Sequence, residues 1–307
     1  VFANNGGMSR TFVIGARGSK LSLRQVEMVS EALLAARPGT RLEVREIHTE
    51  GDRSAAPLAE IGGLGVFTKA IEDALLARDV DIAIHSLKDL PADLAPGLML
   101  ASVPPRADAR DALVSRGGVA LRDLPAGARV GTGSGRRAVQ IRALRPDIET
   151  AEVRGNVDTR IRKAESGEYD AVVLAMAGLI RLGLQDRVTQ VFELGEVLPA
   201  VGQAALGIET RADDEGTMEL VRVIDDEATH AAVEAERAYL QRLGGGCRLP
   251  VGAFAVVEHD ALSLRAMIAG GETIFRAEMR GPMSAPVELG HRAADDVLAQ
   301  GARRFMA

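Results

Sequence analysis

An α/β fold in two successive units, closed by a smaller α+β unit, is what this sequence predicts, on three observations. Short aliphatic runs alternate with amphipathic helical patterns from the start, and the alternation restarts after Pro104-Pro105. From about Asp226 it gives way to a helix, three consecutive strands and a final helix. A length of 307 residues agrees, since at roughly 100–200 residues per domain it divides into two or three.

In the first unit, residues 11–16 (TFVIGA) read as a strand. Residues 21–37 read as a helix with Val26, Val29, Leu33 and Ala36 on one face, closed by Pro38-Gly39. Residues 41–47 are strand-like. Residues 49–65, TEGDRSAAPLAEIGGLG, show little period and much Gly and Ala, and read as a mobile loop in the position of a lid. Residues 67–78 are helical, with Phe67, Ile71, Ala74 and Leu75 on one side, and residues 81–86 (DIAIHS) form a strand ending in a polar cluster. In the second unit, residues 111–115, 128–132, 148–153 and 169–175 read as strands and 136–145, 157–166 and 178–184 as helices. The last unit comprises a helix over 226–243, the loop GGGC, strands at 251–257, 261–269 and 273–280, and a helix from about Pro286.

Composition removes several function classes. The net charge is −6, so the overall positive field expected of a nucleic-acid binder is missing. Aromatics are 3% with no Trp, which disfavours base-stacking platforms and leaves an aliphatic core. Cys247 is the single cysteine, so no internal disulfide forms, and no apolar run reaches the ~18 residues of a membrane span. The expectation is a cytoplasmic monomer without membrane or nucleic-acid partners. The first seven residues, VFANNGG, lack the features of a secretory signal, and Met8 reads as the natural start.

Open α/β sheets bind ligands beyond the carboxyl ends of their strands, which directs attention to four polar loops. His85-Ser86-Leu87-Lys88-Asp89-Leu90-Pro91 sets an acid, a base and a cation at one strand end, either as a capped turn or as a site for charge-separating chemistry. VGTGSGRR, residues 130–137, is a strand, a Gly-rich turn and a helix start. There, free backbone N–H groups with Thr132, Ser134, Arg136 and Arg137 suit an anion, although tight β-to-α geometry alone also calls for glycine. It lacks the Gly-Lys-Ser/Thr of a nucleotide-binding P-loop. VRGNVDTRIR repeats the theme with Arg154 and Arg160 around a cap at Asn156 or Asp158, and IGARGSKLSLRQ does so with Arg17 and Ser19. Each arginine could equally be solvated or ion-paired. In GGGC, three glycines clear space around the Cys247 thiol, which reads as a nucleophile or as a small buried hydrophobe. The five His show no metal-ligand spacing, so no metal site is expected.

Taken in order, IGARGS, HSLKDLP, ALVS, RGNVDTRIRK, YDAVVLAMAGLIRLGL, LPAVGQAALGIE and ERAYLQRLGGGCRLPVGAFA resemble porphobilinogen deaminase (hydroxymethylbilane synthase), from about Phe12 to the final helix. The resemblance implies two periplasmic-binding-protein-like α/β domains, residues 1–104 with 204–224 and residues 105–203, plus a small α+β domain over 225–307. It implies a transferase that joins four porphobilinogen molecules head to tail, releasing ammonia at each step, and then frees hydroxymethylbilane with water. The primer is a dipyrromethane held through a thioether at the position of Cys247. Asp89 matches the catalytic aspartate. Lys88, Ser134, Arg136, Arg137 and Asp89 match residues around the cofactor, and Arg17, Ser19, Thr132, Arg154, Arg160 and Gln203 those around the substrate. Asp52 and Phe67 belong to the lid.

The chain departs from the family pattern at Glu60 and Leu64, where lysine is usual, at Ala70 for glutamate, at Gly133 and Gly135 in the anion loop, and at Ala204 for glycine. These departures bear on lid closure and loop affinity more than on reaction type. The rival readings are a two-lobed binding protein and an inactive paralogue. A plain binder needs no thiol in a triple-glycine loop, and neither a signal peptide nor a helix-turn-helix is evident.

Overall fold

The computed structural model describes residues 10–48, 68–245 and 250–306. The expected lid (49–65, with Asp52, Glu60 and Leu64), Phe67, Cys247 and the leader with Met8 lie outside the described residues.

The first lobe opens with β1 (Thr11–Ala16), α1 (Lys20–Ala36) and β2 (Arg41–Glu46), followed by α2 (Lys69–Leu76), β3 (Ile82–Ser86) and β4 (Leu98–Ser102). Ser19 caps α1, its Oγ accepting the Ser22 N–H at 3.2 Å, and the buried face of the helix contains Val26, Val29 and Leu33 as the periodicity predicts. Ala36, assigned to that face, is exposed as the last residue of the helix. In α2, Ile71 and Leu75 are buried and the helix begins at Lys69.

The chain then enters the second lobe through β5 (Asp111–Ser115), β6 (Arg129–Gly131), α3 (Gly135–Leu144), β7 (Glu149–Ala151), α4 (Val157–Glu165), β8 (Ala171–Ala175), α5 (Met176–Arg181) and β9 (Gln190–Val191). It returns to the first lobe as β10 (Leu206–Arg211), followed by α6 (Glu215–Arg222). The first sheet has the order β2-β1-β3-β10-β4 and the second β7-β6-β8-β5-β9. In each, three strands run parallel and the fourth position is filled by an antiparallel strand that directly follows a crossing between lobes. The lobes are thereby joined twice, at 103–110 and 192–205, and the carboxyl ends of the parallel strands carry the polar loops.

Each sheet has its own aliphatic core. Ile14, Val26, Leu33, Ile82, Ile84 and Ile208 fill one side of the first, and Leu113, Val130, Ile141, Val173 and Phe192 one side of the second. The third unit is α7 (Glu227–Arg242), an antiparallel sheet of β11 (Val251–Glu258), β12 (Ala261–Gly270) and β13 (Thr273–Pro282), and α8 (Pro286–Ala299). Gly290 lets α8 lie directly on the α7 backbone, where a Cβ would collide with the Ala235 carbonyl.

Candidate active site

Leu87–Asp89 form a single 3₁₀ turn at the end of β3. Leu87 is fully buried and its N–H donates to the Ala205 carbonyl at 3.1 Å, so the turn is pinned to the start of β10. Gly207 makes the fit possible, since a Cβ there would stand 2.5 Å from Leu87 Cδ1. With Leu87 anchored inward, Lys88 and Asp89 stay half-buried. Asp89 borders a polar cavity of about 70 Å³ together with Arg17, Ser19, Gln25, Thr68 and His85. Gln25 Nε2 donates to Ser86 Oγ at 2.7 Å, and His85 Nε2 lies 3.1 Å from the fully buried Glu209 Oε2.

The second lobe contributes a buried cationic floor. The loop after β6 turns at Thr132, whose Oγ1 accepts the Ser134 N–H at 3.2 Å, and Ser134 in turn caps α3 by accepting the Arg137 N–H at 3.4 Å. The expected cradle of free backbone N–H groups is therefore partly spent on the loop's own caps. Arg136 and Arg137, expected to face a ligand, are 4% and 6% exposed and converge on Asp111, which is 0% exposed. Arg136 Nη1 donates to Asp111 Oδ2 at 2.8 Å and to the Leu198 carbonyl at 2.5 Å. Arg137 donates to Asp111 Oδ1 from Nε at 3.1 Å and from Nη2 at 2.7 Å, and to the Val173 carbonyl from Nη1 at 3.0 Å. Gln203 joins them, its Nε2 donating to Asp111 Oδ1 at 2.8 Å and to the Ala109 carbonyl at 2.7 Å, while its Oε1 accepts from Arg137 Nη2 at 3.4 Å.

Arg160 at the start of α4 donates from Nε to the Gly155 carbonyl at 2.7 Å, and Arg154 pairs with Glu152 at 2.6 Å. Asn156 occupies the cap position of α4 without a side-chain capping bond.

Groups of the two lobes act on one another's charge. Burial pushes the Lys88 ammonium down to about 8, with Arg137 and Arg136 pushing the same way and Asp89 and Asp111 opposing them. Burial also lowers Arg160 to about 10, helped by Arg137 and Arg154 and opposed by Asp89. Asp111 is held well below the usual carboxylate range by the two guanidiniums, which overcome its own desolvation. Lys88 and Asp89 of the first lobe thus share one field with Arg136, Arg137 and Arg160 of the second.

Sequence reasoning missed Asp111. It passed as the first residue of an apolar strand, and a lone acid heading the buried run DALVS, with no solvent-side partner in sequence, was the available signal. Among the described residues there is no group of three or more His, Cys, Asp and Glu able to hold a metal, and no helix long and apolar enough to cross a membrane.

The sequence matches the family model described as "Porphobilinogen deaminase, dipyromethane cofactor binding domain" over residues 12–219 and that of the porphobilinogen deaminase C-terminal domain over 230–299. A porphobilinogen deaminase of Roseiflexus sp. is 50% identical over 98% of this chain and 100% of its own length. Those of Syntrophobacter fumaroxidans and Thermus thermophilus are 48% and 47% identical, covering 97% of this chain and 97% and 99% of theirs. Among solved structures, an arginine-specific periplasmic binding protein of Salmonella typhimurium aligns with a TM-score of 0.40 at 12% identity, over 70% of this chain and 92% of that one.

Proposed function

The chain belongs to the porphobilinogen deaminase family, and from that premise we propose how its own residues perform the reaction. It is a transferase of tetrapyrrole biosynthesis that joins four porphobilinogen molecules head to tail, with loss of ammonia, to give hydroxymethylbilane. Its residues 12–219 match a dipyrromethane cofactor-binding domain.

Departure of ammonia from an aminomethylpyrrole leaves a cationic azafulvene, and Asp89 is the carboxylate that stabilises this charge as it develops beside the pyrrole N–H. Substrate rings carry acetate and propionate groups, which Arg17, Arg154 and Arg160 hold, with Ser19, Thr132 and Gln203 as neighbours. What supports this reading is that Asp89, Arg136 and Arg137 act on the charge of Lys88, and Asp89 and Arg137 on that of Arg160, so one acid for the developing cation shares a field with cations suited to the carboxylates.

The cofactor, when bound, supplies a pyrrole as the primer for the first addition. The residues present fit it: the floor holds more positive than negative charge, and Arg136 Nε is a buried donor with no partner among the described residues, suited to a carboxylate-bearing group. Lys88, Ser134, Arg136, Arg137 and Asp89 would hold it, with Cys247 as its thioether anchor, and the family resemblance adds Asp52 and Phe67. We read the chain as three domains, 1–104 with 204–224, 105–203 and 225–307, acting as a cytoplasmic monomer on porphobilinogen.

Two variants test the assignment. Asp89→Asn removes the charge and keeps the shape. Turnover, measured as bilane formed per active site, should fall on the order of 100-fold to 1,000-fold while KM changes less. Normal turnover would leave the Asp89 carboxylate as a cap on the turn. Wild-type protein should show a dipyrrole adduct in a denaturing intact mass spectrum, and Cys247→Ser should lack it, a hydroxyl being a far poorer nucleophile than a thiolate. An unchanged adduct on Cys247→Ser would move the anchor elsewhere.

A further inference from the structure

We propose that His85, oriented by Glu209, is the base that receives the proton released at each ring addition, through water in the cavity that His85 shares with Asp89. The inference rests on the reaction assigned above and names a further group that serves it.

Each addition frees one proton. The free α-carbon of the chain's last ring bonds to the exocyclic methylene of the azafulvene. The ring then regains its aromaticity by losing the proton of that carbon, whose bonding electrons return to the ring. Were Asp89 to keep this proton, its carboxylate would be neutral when the next cation develops, so another acceptor is needed close by.

The geometry supplies one. β3 and β10 run antiparallel with Gly207 opposite His85 and Glu209 opposite Ala83, so the Glu209 carboxylate lies one residue pair along on the same face and meets His85 Nε2 at 3.1 Å. Both side chains are buried. A buried carboxylate at one ring nitrogen fixes the tautomer, placing the proton on Nε2 and leaving Nδ1 as an acceptor. Nδ1 has no hydrogen-bond partner among the described residues, and His85 lines the same cavity as Asp89, Arg17 and Ser19. At about 70 Å³ that cavity has room for a few water molecules, which can carry a proton across it.

Glu72 of α2 stands behind the pair. Burial first, and then the Glu209 charge, push its carboxyl up, while the hydrogen bond from Thr68 and the charge of His85 oppose them. Glu72 Oε1 and Glu209 Oε1 are both fully buried without a partner among the described residues. An ion pair that only tied β3 to β10 would gain nothing from unpaired buried oxygens, whereas a proton store needs acceptors that the fold has not used. The charged and titratable groups around the ring are thus Glu209 of β10, Glu72 of α2, and Asp89 and Arg17 at the cavity, with Arg237 of α7 acting on Glu209.

The tests use the full chain, each variant checked for folding by circular dichroism. With porphobilinogen deuterated at its free α-carbon, His85→Gln should show a larger isotope effect on kcat than wild type, because proton loss then limits the rate. Its kcat should fall on the order of 100-fold with a smaller change in KM. A side chain that only joined two strands would alter stability without making the α-deuterium visible. Independently of activity, NMR of histidine labelled at its ring nitrogens, in alkaline buffer, should place the proton of neutral His85 on Nε2. Glu209→Gln offers an amide that can donate to Nε2, so the proton should move to Nδ1 and turnover should fall. These two measurements decide the matter should His85→Gln fail to fold.

A folded His85→Gln with wild-type kcat and an unchanged isotope effect would overturn the proposal, as would neutral His85 protonated on Nδ1 in the wild type. Wild-type protein that forms no bilane would instead overturn the functional reading beneath it.

Discussion

Lys88 and Asp89 are adjacent in sequence and opposite in charge, yet burial, not their mutual attraction, dominates the lysine's proton affinity. The sign follows directly. Desolvation and two nearby guanidiniums disfavour the ammonium more than Asp89 and Asp111 favour it, so Lys88 loses its charge as pH rises through about 8. Its folded value lies below the unfolded one, so the charging cost is fully present below about 8 and fades as pH rises towards the ordinary lysine range. If Lys88 holds an anionic group, kcat/KM should fall on the alkaline side near pH 8, and Lys88→Arg should carry that limb upward because a guanidinium stays charged. A pH-rate profile settles the point, and an unmoved limb in Lys88→Arg would assign it to another group. The sequence made Lys88, Asp89 and the helix-start arginines visible, because they cluster in loops at the carboxyl ends of strands, where open α/β sheets bind ligands. It hid Asp111, because an acid becomes informative only when its two arginine partners, 25 and 26 residues away, are seen to close on it.

At the scale of elements, the parallel strands and their helices were legible because their periodicity is set by burial on one or two faces. β10 was not read from periodicity: LGIETR is buried along its whole length, yet half of it is polar. Those polar side chains are hidden only by distant partners. Glu209 faces His85, and Arg211 bonds Asp81 at 2.9 Å and Asp214 at 2.6 Å, where Arg10 also binds. Only the family resemblance directed residues 204–224 back to the first unit. The approach to β10 contains a second concealed feature. Ala204 stands at φ +72, a left-handed conformation that disfavours any Cβ, and Arg181 Nη2 fastens its carbonyl at 2.6 Å. Ala204→Gly should therefore stabilise the chain by about 1 kcal/mol, read as a higher urea midpoint at unchanged slope. A lower midpoint would mean that the Ala204 methyl, packed with Ala109 and Ala177, contributes more than the backbone strain costs.

For the whole molecule, the question is what keeps the three units in one arrangement, and the structure concentrates the answer on Glu236 of α7. This carboxylate is 0% exposed and accepts four bonds from three parts of the chain. Arg106, in the first crossing, donates from Nη1 at 2.5 Å and Nη2 at 3.1 Å; Gly202, in the second crossing, donates at 2.7 Å; and Ala255 of β11 donates at 2.8 Å. Arg106 also reaches the Gln203 carbonyl at 2.8 Å and lies over the Phe254 ring at 4.9 Å. Both links between the lobes and the third sheet therefore share one buried charge, and Gln203 extends that junction to Asp111 beneath Arg136 and Arg137. Glu236→Gln keeps the volume but leaves the Arg106 guanidinium uncompensated, and breaking a buried pair from one side typically costs about 3–5 kcal/mol. The loss should fall on the junction before the sheets. In urea, the amides of Val103, Arg106 and residues 202–205 and those in β11 should exchange hydrogen well before those of β1, β3 and β8, whereas in wild type the junction and sheets should open together. Arg106→Met combined with Glu236→Leu should recover most of the stability, because an apolar pair leaves no charge stranded. If Glu236→Gln unfolds at the wild-type midpoint with the junction still protected, Glu236 is not what unites the three units, and the aliphatic seam of Leu87, Leu90, Val103, Ala205 and Val233 must do so instead.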